Sequence, residues 1–471
     1  MRKLMKFAAV ALSALLLCGC MPEDAVTETD STAETRQTVT SPQPLDTLAP
    51  FDDPDDTKTE QTPGEESTAE NNTETQQQTE TDKVTETDKP ETKAEETEKE
   101  PVTTEKETEP DSQPHDVPDG ASASFIFCGD NLVHQAVINN AKRYAQGTGQ
   151  EYNFLPIYDD IASIIKKADC AVINQESQIA GDASEIQGYP KFNTPAQMGD
   201  DLITLGYDVV ALANNHMLDN KTKGLQNCIN YWKTKSVLTV GAYENKTDYD
   251  TIRTIDVNGI RVAFLAYTEM TNSDRRADGL ITPLLDEATV KRHIASAKKV
   301  ADVVIVMPHW GKEDSFDVTK TQKKYAQLFA ECGADAVVGM HSHVTGKIEY
   351  IDRPDGKKML CAYSLGNFVS TMEYARDMVG LMLKFDIVND NGSFIIRNVG
   401  VIPTVTYFVY TSSMKLEDRT DLKLYLLSDF TDELAAKHAY NHHESKTIRL
   451  KELQKYVTDV VDKQFLPDYL K

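Results

Sequence analysis

The residues able to do chemistry in this sequence stand in short clusters, each just after an apolar run. Asp130 follows residues 124–128 (SFIFC) and Gly129, with His134 four residues on. Asn174-Gln175-Glu176 follows CAVI, and Asn214-Asn215-His216 follows DVVALA. His309 follows DVVIVMP, and His341 and His343 follow DAVVGM. Carboxylate, amide and imidazole donors with no thiolate among them suit Mn²⁺, Fe²⁺/³⁺ or Zn²⁺. The donors are too many for one ion, whereas two ions about 3.5–4 Å apart, bridged by a carboxylate, would use them all. Singly, each residue has a plainer reading: His-x-His can be a polar turn, and an Asp after a strand often caps the next helix. Five such endings together favour one shared set, because ligands bind at the carboxyl ends of strands in open α/β sheets. His216 is placed to protonate a leaving oxygen, or else to support Asn215.

These residues need a scaffold that brings strand ends together. Apolar runs read as strands at 124–128, 170–173, 208–212, 261–267, 302–307 and 335–338. They alternate with amphipathic stretches read as helices at 136–144, 156–167, 224–235, 286–299 and 322–332, with another opened by Thr194-Pro195. This alternation predicts parallel β/α units with helices covering the sheet. Further strands at 358–363, 379–388 and 394–406 predict a second sheet packed on the first, and the chain from about 418 reads as mostly helical. The stripe Ile157, Ile161 and Ile164 reads as core.

Other candidates have bland readings. Glu313 reads as a solvated helix start, and Ser364-Leu365-Gly366-Asn367-Phe368 as the floor of a pocket. His293 reads as an exposed helix position, and His438, His442 and His443, beside Glu444, as part of a solvated polar tail. Cys128, Cys170, Cys228, Cys332 and Cys361 lack paired spacing and read as small buried hydrophobes.

Of the 471 residues, only those from about 121 onward have the composition of a folded body. Residues 1–20 carry Arg2, Lys3 and Lys6, then an apolar stretch too short to span a membrane, ending Leu17-Cys18-Gly19-Cys20. That ending resembles the bacterial lipobox, which makes Cys20 the expected lipidation site and the outer face of the cell membrane the expected location. Residues 21–120 hold 30 Asp and Glu against 7 Lys and Arg, and His115 lies here too. So few apolar groups cannot offset ordering entropy, so a disordered stalk is expected. The chain's net charge of −26 therefore belongs mainly to this stalk, and its acidity argues against nucleic-acid partners.

The ordered series GD, NQE, NNH, HWGKE, GMHSHV and SLGNF, spread over roughly residues 123–370, resembles the CapA-type family of poly-γ-glutamate capsule biosynthesis. That family is related to the calcineurin-like metallophosphoesterases. The resemblance implies a four-layer α/β/β/α sandwich of the metallo-dependent phosphatase type. It also implies metal ligands at Asp130, Asn215, His309, His341 and His343, with His216 near the phosphate. Two departures stand out. Leu132 occupies the place of the histidine in the phosphoesterases' Asp-x-His, for which His134 is a candidate substitute. Glu176 stands where an Asp or Asn is usual, long enough to bridge two ions. The implied role is making, exporting or attaching a capsule polymer, with an anionic polymer or cell-wall material as substrate and capsule synthase subunits as partners. The site would be a phosphoester hydrolase, an amide hydrolase, or a vestigial centre on a non-catalytic scaffold.

Overall fold

The computed structural model describes residues 117–273, 279–442 and 447–471. Cys20, the leader 1–20, nearly all of the acidic segment, His115, His443 and Glu444 lie outside the described residues. Numbered along the chain, the strands are β1 (Ser122–Asn131), β2 (Cys170–Gln175), β3 (Val209–Ala211), β4 (Leu238–Val240), β5 (Arg253–Val257), β6 (Ile260–Thr268), β7 (Val303–His309), β8 (Ala336–Val338), β9 (Ile348–Asp352), β10 (Lys358–Ala362), β11 (Asn367–Val369), β12 (Val379–Asp390), β13 (Ser393–Val409) and β14 (Thr420–Leu426).

They form two sheets. One runs β14-β13-β12-β1-β2-β3-β4, with β11 also pairing to β1; the other runs β5-β6-β7-β8-β10-β9. In the first, β1 to β4 are parallel and β12 to β14 antiparallel. In the second, β6, β7, β8 and β10 are parallel, with antiparallel edges.

The second sheet shows why its strands read as unbroken apolar runs. Val262, Phe264 and Ala266 of β6, with Val303, Ile305 and Met307 of β7, join the core shared with the first sheet. Their alternate neighbours Ala263, Leu265, Tyr267, Val304 and Val306 pack with Val290, Ile294, Ala326 and Phe329 from the two helices outside. A sheet covered on both faces leaves no room for polar alternation. Phe127 of β1 stacks on Phe385 of β12 at 5.2 Å and reaches Phe264 of the facing sheet at 6.5 Å. On the far side of β1, Cys128 lies 3.1 Å from the Tyr207 hydroxyl. The result is mixed α/β, two sheets face to face with helices outside each, as expected.

Local signals end the helices. Asp286 and Thr319 cap the helices Glu287–Val300 and Lys320–Cys332, and Gly333 closes the latter at φ 90°. Two readings need correction. The stretch 156–167 is not one helix: a 3₁₀ turn, Leu155–Tyr158, precedes the short helix Ala162–Ile165, and of the expected stripe Ile157 and Ile161 are buried while Ile164 is half-buried against the core and its neighbour Ile165 is buried. The chain beyond 418 is less helical than its sequence reads: Thr420–Leu426 (TDLKLYL) alternates with period two and extends the first sheet, and among the described residues that follow, α-helix is confined to Asp432–Lys437 and Leu450–Thr458, with 3₁₀ turns at Ala439–His442, Lys463–Phe465 and Asp468–Leu470. Val117, the first described residue, is joined to the fold through its carbonyl, which accepts from Asn389 Nδ2.

Candidate metal centre

The clustered residues meet where the parallel strands of both sheets end. Asp130 is near the end of β1, Glu176 directly follows β2, and Asn215 and His216 follow β3. His309 ends β7, and His341 and His343 follow β8. Two glycines permit this approach. A Cβ on Gly129 would lie 2.0 Å from the Gly366 carbonyl oxygen, and one on Gly339 would lie 2.1 Å from that of Tyr363. Gly129 thus serves the close approach of β1 to the backbone of Gly366.

The donor atoms are close enough to share a cation. Asn215 Oδ1 lies 3.0 Å from His309 Nε2, which lies 3.1 Å from His341 Nδ1 and 3.5 Å from Glu176 Oε1. His343 Nε2 is 3.8 Å from the same Glu176 oxygen, and His343 Nδ1 is 3.4 Å from Asp130 Oδ2. Glu176, His341 and His343 form one group, and Asp130, Glu176 and His309 another, the donor atoms of each lying within 4.8 Å. Glu176 belongs to both. It is fully buried, yet neither carboxylate oxygen has a hydrogen-bond partner; His309 Nδ1 also lacks one. Buried polar atoms are normally paired, so an unpaired carboxylate ringed by imidazoles fits a cation of the oxygen- and nitrogen-loving class.

The electrostatics agree. Burial opposes charge on Glu176, but the His309 and His343 rings outweigh it and hold the carboxyl below the usual range. Burial likewise opposes charge on His343, yet the Glu176 and Asp130 carboxylates push it up to about 10. His341, buried and facing His309 and His343, is held well below its ordinary value, which leaves a neutral ring with a lone pair to offer.

His216 sits at the rim. Its Nδ1 lies 2.8 Å from Asp219 Oδ2, and its ring packs edge-on against Phe192 at 4.7 Å. A carboxylate on Nδ1 fixes that nitrogen as the donor and leaves Nε2 for other work. Asn272 Nδ2 approaches the same ring at 3.5 Å. His134 is nearby, 5.4 Å from the Phe192 ring, but belongs to neither donor group. Its Nδ1 accepts from the Thr371 N–H, and burial pushes it down to about 3, so the neutral ring carries its proton on Nε2.

Several supporting residues escape a reading by strand endings. Asn174 donates to Asp130 Oδ1 at 2.7 Å, the His341 N–H donates to Asp130 Oδ2 at 3.0 Å, and Asn367 Oδ1 lies 3.0 Å from His343 Nδ1. Asn174 and Asn367 sit inside the quoted motifs, but an amide carries no sign of which neighbour it serves. Asp219 stands three residues after His216, a spacing that could have flagged it. Of the bland readings, Glu313 is exposed but lies in a loop, not at a helix start. His293 is buried, not exposed, against Tyr249 at 4.6 Å. His438 is also buried, its Nε2 2.8 Å from the Thr406 carbonyl oxygen. The described cysteines are free, and all but the half-buried Cys332 are buried.

Residues 124–372 match the family described as bacterial capsule synthesis protein PGA_cap. The chain is 32% identical over 199 residues to the capsule biosynthesis protein CapA of Bacillus anthracis, covering 41% of this chain and 46% of that protein. It is 25% identical over 303 residues to the PGA biosynthesis protein CapA of Bacillus subtilis (strain 168), covering 63% of this chain and 76% of that protein. The match thus spans about half the length of the first relative and three quarters of the second. Among solved structures, a hypothetical protein from Thermus thermophilus aligns at 16% identity with a TM-score of 0.36, over 59% of this chain and 97% of its own.

Proposed function

The chain belongs to the bacterial capsule synthesis protein family, and from that premise we propose that it acts in the making, export or attachment of poly-γ-glutamate or a similar anionic capsule polymer, through a metal-dependent hydrolase centre. The reading includes a lipid anchor at Cys20, action at the outer face of the cell membrane, and contact with capsule synthase subunits. Among the described residues no helix is long and apolar enough to cross a membrane. Incorporation of labelled fatty acid that is lost in Cys20→Ala would test the anchor.

One observation carries the catalytic part. Glu176 is a fully buried carboxylate with no hydrogen-bond partner on either oxygen, facing His309 and His343. A divalent ion of the Mn, Fe or Zn class explains that arrangement, and two overlapping donor groups that share Glu176 support a two-ion reading. When bound, such ions supply Lewis acidity toward a phosphoryl or carbonyl oxygen. The residues of the chain do the rest. Asp130, Glu176, Asn215, His309, His341 and His343 hold the centre, and Asp130 also accepts from the His341 N–H. His216, oriented by Asp219, presents Nε2 as the proton donor to a leaving oxygen. Phe192 and the surrounding buried rings exclude bulk water from that proton's path.

The test is metal analysis of the purified chain alongside turnover of a generic phosphodiester. Bound metal and turnover, both lost in His309→Ala and His341→Ala with circular dichroism unchanged, support the reading. Bound metal without phosphodiester turnover, but with release from a γ-glutamyl amide, moves it to amide hydrolysis. A folded chain with neither metal nor turnover leaves a polymer-binding scaffold.

A further inference from the structure

Tyr189 is the most exposed large hydrophobic side chain among the described residues, at 63%. It stands on the hairpin 187–193, closed by Gln187 and Asn193, whose N–H groups donate to each other's carbonyls at 3.1 and 3.0 Å. The hairpin is fastened on both sides. The Gly188 N–H donates to Gln135 Oε1, and a Cβ on Gly188 would lie 2.3 Å from the Gln135 nitrogen. The Phe192 N–H donates to Asp219 Oδ2 at 3.0 Å, and the Phe192 carbonyl accepts from Asn220 Nδ2 at 2.7 Å. A lone exposed tyrosine is ordinary on a protein surface; the place of this one is not.

The Tyr189 ring meets Phe192 edge-on at 6.3 Å, and Phe192 meets the His216 ring edge-on at 4.7 Å. Asp219 Oδ2 serves both ends of this row, since it accepts from the Phe192 N–H and holds His216 Nδ1 at 2.8 Å. One carboxylate oxygen therefore sets the hairpin and the proton donor together, and the rings lead outward from His216. The chemistry of the row selects its occupant. An aromatic face carries negative potential, which favours C–H groups and cations and repels carboxylates. An open γ-glutamyl chain, with a carboxylate on every residue, suits that face poorly. A sugar ring offers it an apolar C–H face and keeps its hydroxyls, which both donate and accept, for polar groups and water at the rim. Lys191, exposed two residues on, offers a carboxylate a partner at the tip, which makes a γ-glutamyl chain the competing occupant.

We infer that Tyr189 is a specificity-determining residue that seats a sugar ring on the leaving-group side of the centre. This rests on the reading of His216 as the proton donor, and it adds the chemical class of the group that leaves. In the hydrolysis implied, water adds its hydroxide to phosphorus and the phosphorus–oxygen bond to the sugar breaks. The sugar oxygen takes the proton from His216 Nε2, and the remaining proton of the water replaces it.

The experiment titrates the full chain with N,N′,N″-triacetylchitotriose, a neutral sugar probe, by calorimetry, with a γ-glutamyl trimer as the comparison. The sugar should bind the wild type, and bind Tyr189→Ala at least about tenfold more weakly. Tyr189→Phe, which keeps the ring, should restore the affinity to within about threefold. Tyr350→Ala, at an exposed tyrosine of β9, should leave it unchanged. Circular dichroism should match wild type throughout. No binding of the sugar, equal affinity in wild type and Tyr189→Ala, or a γ-glutamyl trimer that depends on Tyr189 as strongly would overturn the inference. A chain without metal or phosphodiester turnover that still binds the sugar through Tyr189 would overturn the hydrolase reading and keep the sugar subsite.

Discussion

Asn215 and His309 are 94 residues apart in the chain, yet Asn215 Oδ1 and His309 Nε2 lie 3.0 Å apart. The first follows a strand of one sheet and the second ends a strand of the other. An ion bound between them would tie the two sheets together at the end where their strands converge.

Chelation should therefore loosen the fold as well as the site. A ligand at 100 times its Kd stabilises the native state by about 2.7 kcal/mol. Treatment with a chelator should lower the melting temperature by several degrees in differential scanning calorimetry, with recovery on adding Mn²⁺ or Zn²⁺. Superimposable melting curves would argue against any such tie.

His216 and Asp219 should affect proton transfer and not metal content. His216→Ala should reduce kcat by about 10²–10⁴-fold, the usual contribution of a general acid. Asp219→Asn should reduce it less and alter the pH–rate profile, because the ring loses the carboxylate that orients it. Bound metal, measured on the same preparations, should equal wild type in both. A parallel fall in metal would make His216 a ligand.

Much of this centre is legible in the sequence, because each participating strand is an apolar run followed at once by its polar residues. What escapes is what depends on pairing between distant segments. The link from Asn367 to His343 exists only because β11 lies beside β1, and that pairing leaves no local mark. The strand Leu238–Val240 is three residues long, too short for a periodic signal. His293 misleads for a related reason: its neighbours in the helix are charged, and the rings that bury it come from other elements.

Asp377, whose backbone carbonyl accepts from Asn367 Nδ2, gives a pH prediction. It is fully buried, and burial together with the nearby Asp314 carboxyl pushes it up to about 8. Between about pH 4, where an unfolded Asp releases its proton, and pH 8, the folded chain retains a proton that the unfolded chain has lost. The stabilising effect is thus complete below about pH 4 and fades as pH rises through 8. Asp377→Asn should flatten thermal stability over pH 5–8 and raise the melting temperature at pH 8. Parallel wild-type and variant profiles would contradict this.

Phe127 links the sheets through Phe385 and Phe264 and is fully buried. Phe127→Ala should cost about 3–5 kcal/mol in chemical denaturation, as expected for a large cavity in a packed core. A loss below about 1 kcal/mol would mean that the two sheets are held together chiefly elsewhere.

His341 and His343 both have left-handed backbone, at φ 95° and 58°. That conformation costs an L-residue with a side chain roughly 1–2 kcal/mol, and glycine would relieve it at either position. At this turn the most comfortable residue is also an inert one. Selection for thermal robustness alone would favour glycine at both positions, so the two imidazoles stand there at a cost in durability.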